Sequence, residues 1–365
     1  MSRSLLFRVD ASTQVGSGHL ARCLTLANEA SLQGWSAGFA LRDPTVEITE
    51  KIKMAGHELY FLKDRDTESS KDIPDLAHSH WLPVSQKTDA IETNHLINKL
   101  KPDCLVIDHY AIDARWHDLV RDHCKKLLVI DDLADRTLNC DILLNQNLGV
   151  STKDYFDKIT QGCSLLLGPQ FALLKPEFGR WREFSLKRRQ SSNLHEVLIT
   201  MGGADEKNKT LKILRSLESS DHAFECEITV IVGPLYKFNS SLEQFIQSSA
   251  LKVSKMTDIN NMAEIMSKSD ICIGAAGSSS WERCALGLPT LTFAIAENQT
   301  KISSVLDQRD VAIATDMNSL NFYFDSLFHE DGKKVLKKLS LNSQDVCDGF
   351  GAQRVVQRLD NIPVG

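Results

Sequence analysis

Residues 8–27 hold the densest set of side chains able to do chemistry in this chain. Arg8 and Asp10 close a short apolar run, Leu5-Leu6-Phe7-Arg8-Val9-Asp10, and a polar stretch then leads to Gly16-Ser17-Gly18-His19, with Arg22 close behind. Histidine ordinarily titrates near neutral pH, so His19 can take a proton from water. Glycines allow a tight turn or a close approach to a ligand, and the N–H groups of a helix start point outward toward an anion. Leu20, Cys23, Leu24 and Ala27 recur at helical spacing, so His19 stands where a strand hands over to an amphipathic helix. That junction lies on the rim of an open α/β sheet, where ligands bind. The plainer alternative is that His19 caps the helix or bonds a backbone carbonyl.

The run Gly16-Ser17-Gly18-His19-Leu20-Ala21 also fits the dinucleotide pattern G-x-G-x-x-A. That pattern needs its first glycine directly after the strand, and here Ala11 to Val15 intervene. No unambiguous acidic residue closes a second strand at the required distance. NAD is not expected, and neither is any other cofactor.

A second set of small residues comes later. Glu196–Met201 reads as an apolar strand that runs into Gly202-Gly203-Ala204-Asp205 and then a helix from Asn208 to Leu217. Asp270–Gly274 is another strand, followed by Ala275-Ala276-Gly277-Ser278-Ser279-Ser280-Trp281-Glu282. Strand, small-residue turn and helix start make a cradle for a phosphate or sugar, with backbone N–H groups and serine hydroxyls as donors. Glu282 can grip a ribose diol, or simply offset the helix dipole. Asn298 places an amide at a further helix start.

These residues need a scaffold, and the chain alternates strand and helix throughout. Ser36–Leu41, Gly56–Leu62, Asp103–Tyr110, Lys126–Ile130 and Asp141–Asn145 read as strands; Thr45–Met54, Ile91–Leu100 and Ala114–Cys124 read as helices. This period specifies a mainly parallel sheet with crossover helices, whose strand carboxyl ends face the ligand. It gathers Asp10, His19, Asp108, Tyr110, Asp131, Asp132, Asn145 and Asn147 on one rim, although polar residues at strand ends also serve as caps and turn formers. Residues 63–87 read as a loop. His57, His78 and His80 read as surface residues; the pair at 78 and 80 lacks partners at zinc-ligand spacing, and no metal is expected.

The alternation restarts at Glu196, so two facing parallel-sheet units are expected, with the ligand cleft between their rims. The expected divisions are 1–178 with the catalytic histidine, a charged linker at 179–194, a nucleotide-binding unit at 195–335, and terminal helices at 336–365. The 365 residues, 42% hydrophobic and 25% charged, are ample for two such cores. A net charge of -6 argues against a nucleic-acid surface, which is normally basic. The nine cysteines form no C-x-x-C pair, and several lie in apolar runs, as buried thiols do in a reducing compartment. No apolar run reaches the length of a membrane span or a signal peptide. A cytoplasmic monomer acting on a small molecule is expected.

The residues carry a resemblance as well. The turn Gly274–Glu282 followed by Gly287-Leu288-Pro289 is similar to the MurG-related nucleotide-sugar enzymes, which implies a GT-B-like pair of Rossmann-like domains. The opening Arg8–Ala27, Val106-Ile107-Asp108-His109-Tyr110, Ile130-Asp131-Asp132, Gly168–Phe178 and Met201–Asp205 resemble the UDP-sugar hydrolases of pseudaminic acid biosynthesis, the PseG family. The resemblance runs in order from about residue 5 to 300. It implies metal-independent, inverting hydrolysis of UDP-2,4-diacetamido-2,4,6-trideoxy-β-L-altropyranose, in a pathway that feeds surface polysaccharide or flagellin glycosylation. His19 matches the family's catalytic histidine and Tyr110 its active-site tyrosine; the uridine and ribose contacts match Gly277, Ser278, Ser279 and Glu282, with Asn298 near the sugar. Gly16, Gly18, Arg22, Asp108, Lys175, Gly202, Gly203 and Asp205 complete the expected substrate contacts, and Asp10 is expected to orient His19. Lys175 stands where an arginine is common, and it offers a point charge in place of a bidentate fork. A glycosyltransferase of the same fold, passing a related UDP-sugar to an acceptor, is the alternative.

Overall fold

The structure is a computed structural model that describes residues 3–11, 18–63, 76–190 and 194–361, the side chain of Asn298 excepted. The chain divides into two units, one built from Met1–Leu174 with Phe350–Gly365 and the other from Lys175–Gly349.

In the first unit, β1 (Ser4–Val9), α1 (Gly18–Leu32), β2 (Ser36–Arg42), α2 (Val46–Met54), β3 (Glu58–Leu62), α3 (Gln86–Leu100), β4 (Cys104–Asp108), α4 (Ala114–Arg121), β5 (Leu127–Ile130), β6 (Ile142–Asn145) and β7 (Ser164–Leu167) follow one another. The strands form one parallel sheet in the order β3-β2-β1-β4-β5-β6-β7. Side chains alternate across a strand, and both faces are covered. Leu5, Phe7 and Val9 therefore feed one core layer with Leu20, Cys23, Leu24 and Ala27 of α1, while Leu6 feeds the other with Leu105, Ile107 and Trp116. Helix α3 starts at Gln86, five residues before the expected Ile91, because Ser85 caps it by accepting from the Thr88 backbone N–H. Within the expected loop, Ser79–Trp81 form a short 3-10 turn.

The second unit begins with α5 (Pro176–Arg188) and continues through β8 (Glu196–Thr200), α6 (Lys209–Leu217), β9 (Glu227–Ile231), α7 (Asn239–Ser248), β10 (Lys252–Met256), α8 (Met262–Lys268), β11 (Ile271–Ala275), α9 (Ser279–Ala285), β12 (Thr290–Phe293), α10 (Glu297–Gln308), β13 (Ile313–Ala314), α11 (Leu320–Ser326) and α12 (Glu330–Val346). Its parallel sheet has the order β10-β9-β8-β11-β12-β13. The expected linker at 179–194 overlaps α5, whose buried Ser185 donates to the Leu286 carbonyl at 2.7 Å, while Arg189, just beyond it, donates to the carbonyls of Leu286, Ser269 and Met266. A charged stretch reads as a linker, but these guanidinium and hydroxyl donors are spent on the carbonyls that end α8 and α9. The chain closes with α13 (Gly351–Asn361), whose Ala352, Val355, Val356 and Leu359 join the core of the first unit.

Candidate functional site

In each sheet the strand order reverses once, between β1 and β4 in the first unit and between β8 and β11 in the second. Open parallel sheets bind ligands at the carboxyl ends of such a strand pair. The residues singled out from sequence gather at these two places.

In the first unit, Val9 pairs with Asp108, so the ends of β1 and β4 lie side by side. His19, the second residue of α1, brings Nδ1 to 2.5 Å from Asp108 Oδ1. Arg22, one turn further along α1, donates Nε to Asp108 Oδ2 at 2.6 Å and Nη2 to Oδ1 at 2.7 Å, and its Nη1 reaches Asp132 Oδ2 at 2.5 Å. Tyr110 donates its hydroxyl to that same Asp132 oxygen at 2.5 Å, and Asn147 donates to the other at 3.1 Å. The ring of Tyr110 stands edge-on to His19, with centroids 4.6 Å apart. Burial opposes the charge on Asp108, but Arg22 and His19 outweigh it and hold the carboxyl well below the usual range. Burial and then Asp132 push the Tyr110 phenol well above its usual range, so it stays neutral. A carboxylate only accepts, so Nδ1 of His19 carries the proton and Nε2 is the basic nitrogen. A histidine oriented in this way is equipped to deprotonate a water.

Asp10 is not the partner of His19. Its carboxylate accepts from Arg8 at 2.9 Å and from the Arg42 backbone N–H at 2.8 Å, and His109 Nε2 lies 3.2 Å away. The buried Arg8 also bonds Asp89 twice, at 2.9 and 2.7 Å. Asp10 thus belongs to an ionic network that braces β1 and β2, because Arg8 lies two residues away on the same strand and satisfies it first. His57 is not a surface residue either, and His78 is only partly exposed. His57 is 7% exposed and bonds Asn28, and His78 packs edge-on against Trp81 and Tyr110, with centroids at 4.7 and 5.4 Å. Trp81 stacks on Tyr110 at 5.4 Å and meets the His19 ring edge-on at 5.8 Å. Gly18 opens α1; Gly16 lies outside the described residues.

In the second unit, the turns after β8 and β11 are neighbours, because Gly274 pairs with Thr200. Gly202 has φ +83°, and Gly202 and Gly203 are both exposed. Asp205 is buried, and its two oxygens accept from the Lys209 and Thr210 backbone N–H groups at 2.7 and 2.8 Å and so cap α6. In the other turn, Gly277 is partly exposed and Ser278 exposed, while the Ser279 and Ser280 hydroxyls accept from Arg283. Burial pushes the Glu282 carboxyl up to about 7, against the pull of Arg283 and Lys175. Lys175 Nζ stands 4.0 Å from Glu177 and is largely exposed. Asn298 is the second residue of α10, and its side chain lies outside the described residues.

Residues 196–322 match the sequence family described as the glycosyltransferase family 28 C-terminal domain. Over 277 residues the chain is 27% identical to the UDP-2,4-diacetamido-2,4,6-trideoxy-beta-L-altropyranose hydrolase of Campylobacter jejuni, covering 75% of this chain and 85% of that one. It is 28% identical over 330 residues to an uncharacterized protein of Methanocaldococcus jannaschii, covering 88% of this chain but spanning only 62% of that protein's length. Among solved structures, MurG of Acinetobacter baumannii superposes with a TM-score of 0.66 at 14% identity, covering 98% of this chain and 99% of that one. The UDP-GlcNAc 2-epimerase of Neisseria meningitidis, bound to UDP-GlcNAc, gives 0.64 at 12%, covering 98% and 99%. The two parallel-sheet units share the GT-B-type fold of these solved structures.

Sequence reasoning listed Asp132 on the rim without a role, and left Trp81 and His78 out of the site. Asp132 had a legible signal, the consecutive aspartates directly after a strand. Trp81 had none, because the segment that carries it follows no hydrophobic period. Among the described residues, no helix is long and apolar enough to cross a membrane, and no group of three metal-ligating side chains is assembled.

Proposed function

We propose that the chain hydrolyses a UDP-linked 2,4-diacetamido-2,4,6-trideoxy sugar to UDP and the free sugar, with inversion at the anomeric carbon. The reading is carried by the His19–Asp108 pair at the carboxyl edge of the first sheet. Nε2 of His19 takes a proton from water; the water oxygen bonds the anomeric carbon on the face opposite UDP; the bond from that carbon to the UDP oxygen breaks, and UDP leaves with the electron pair. Attack on the opposite face inverts the centre, as in inverting glycosidases. Tyr110, neutral and with its hydroxyl proton given to Asp132, can still accept a hydrogen bond from the water or the sugar. In the second unit, backbone N–H groups of the Gly202–Gly203 and Gly277–Ser279 turns supply donors for the departing diphosphate, and Glu282 supplies acceptors for the ribose diol. The name of the Campylobacter jejuni relative supports the choice of substrate.

The match of the second unit to a glycosyltransferase domain favours one other reading, transfer of the sugar to an acceptor. Proton NMR of the purified protein with the UDP-sugar, without acceptor and with chelator, separates the two. Release of UDP together with the inverted free anomer supports hydrolysis. UDP binding without turnover overturns it in favour of transfer.

A further inference from the structure

Arg283, on α9, is 2% exposed, yet none of its hydrogen-bond partners carries a charge. Its Nη1 donates to Ser279 Oγ at 3.1 Å, and its Nη2 donates to the Ala275 carbonyl at 2.8 Å and to Ser280 Oγ at 3.0 Å. It also reaches the thiol of Cys272, which burial holds protonated. Gly274 makes room for it, since a Cβ there would stand 2.9 Å from Nη1. Glu282, the sequence neighbour of Arg283, feels its charge, but burial outweighs that pull and pushes the Glu282 carboxyl up to about 7. A guanidinium stays charged at every pH at which proteins fold, and a buried charge without a counter-charge is costly.

Both serine oxygens accept from Arg283, so each hydroxyl keeps its own proton to donate elsewhere. Ser280 is buried, whereas Ser279 is partly exposed and leaves the Arg283 cation one bond from whatever meets that hydroxyl. The chemistry that completes this arrangement is an anion with oxygen acceptors. We propose that Arg283 is a positioning residue for the diphosphate of the nucleotide. It aims and polarises the Ser279 hydroxyl toward a phosphate oxygen, so that an arriving diphosphate meets the buried cation through that bond. This rests on the UDP-sugar reading and adds to it the source of positive charge for the leaving group.

The test is calorimetric binding of UDP and of uridine to the full chain, because their affinity ratio isolates the phosphates. Arg283→Gln should cut the UDP-to-uridine ratio by about tenfold or more, because any effect through Glu282 on the ribose falls on both ligands alike and cancels in the ratio. Arg283→Lys, which keeps the charge and loses the fork, should recover part of the ratio. Ser279→Ala leaves the arginine in place and should lower the ratio by itself, so it carries the test if the Arg283 variants do not fold. An unchanged ratio in Ser279→Ala and Arg283→Gln overturns the proposal. Equal weakening of both ligands overturns it as well, since Arg283 then only supports the fold. Wild-type protein that binds neither ligand overturns the UDP-sugar reading and this proposal with it, whereas a wild-type UDP preference that the variants retain overturns this proposal alone.

Discussion

Asp108 Oδ1 stands 2.5 Å from His19 Nδ1, so one carboxylate joins the end of β4 to the first turn of α1. Arg22 grips the same carboxylate through two further bonds and ties it to Asp132. The imidazole is therefore held in one orientation and one tautomer. An asparagine at 108 could present its amide to Nδ1, turning that nitrogen into an acceptor and moving the proton to Nε2. Asp108→Asn should lower kcat by about 10³-fold or more while UDP affinity stays near wild type, as acceptor-free turnover and calorimetry would measure. An unchanged kcat would remove Asp108 from the mechanism.

His19→Gln keeps a polar side chain of similar reach but cannot take the proton. Loss of about 10²- to 10⁴-fold in kcat is expected, with the UDP dissociation constant within about twofold of wild type. If both fell together, His19 would be holding the nucleotide rather than activating water.

Glu282 links affinity to pH. Its carboxyl is pushed up to about 7, so raising the pH from 6 to 8 converts it from mostly protonated to mostly ionised. The ionised form offers two charged oxygens to the hydroxyls of a ribose diol, whereas the protonated form turns one of them into a donor and accepts more weakly. Uridine, which has no group titrating in that interval, should bind about tenfold tighter at pH 8 than at pH 6, and Glu282→Gln should flatten the profile. A wild-type profile that is flat or falls with pH would refute the ribose role.

His117 ties stability to pH in the first unit. Its ring is fully buried, accepts the Asn139 backbone N–H on Nδ1 at 3.1 Å, and leaves Nε2 without a partner. Burial, helped by Arg136, pushes its pKa down to about 3. The folded ring stays neutral while the unfolded one protonates below about 6.5, so its contribution is complete above that pH and drains away toward 3. His57 and His78, also lowered by burial, act in the same direction, and the carboxylates Asp89 and Asp108 weaken the fold only below the ordinary carboxylate range. Between pH 7.5 and 5, urea unfolding of the wild type should lose up to about 2 kcal/mol through His117, with the raised Glu282 carboxyl acting in the opposite direction, so the comparison with a His117 variant isolates the effect. His117→Asn, which keeps the acceptor, should shrink that loss; an unaltered slope would exclude His117 as its source.

Gly233 underlies the Gly202–Gly203 turn. A Cβ at 233 would stand 2.3 Å from the Gly203 carbonyl oxygen and 2.4 Å from its Cα. Gly233→Ala must therefore push the turn outward, costing about 1–3 kcal/mol and weakening UDP binding. Thermal unfolding and calorimetry would check this. Unchanged values in both would mean that the turn can shift freely and holds no ligand.

The amino-acid sequence by itself determined the layered parallel architecture. Apolar strands of four to seven residues between amphipathic helices are set by local periodicity. Leu5, Phe7 and Val9 face α1 as the spacing implies, and Leu20, Cys23, Leu24 and Ala27 face them. It also marked the ends of β1, β4, β8 and β11, where the two sheets reverse their strand order, because glycine turns and terminal polar residues are local signals. Which of those polar residues meet one another was decided only by the tertiary structure. Asp10 is nine residues from His19 and Asp108 is eighty-nine away, yet Asp108 is the partner, because the sheet places β4 beside β1 and Arg8 has already engaged Asp10. Trp81 beside His19 belongs to the same class, because it depends on contact between segments far apart in the chain, and neither propensity nor spacing encodes strand order. The Asp205 cap and the Arg283 bonds to Ser279 and Ser280 are local, but helix starts of this kind look alike in sequence whether their side chains meet a ligand or their own backbone.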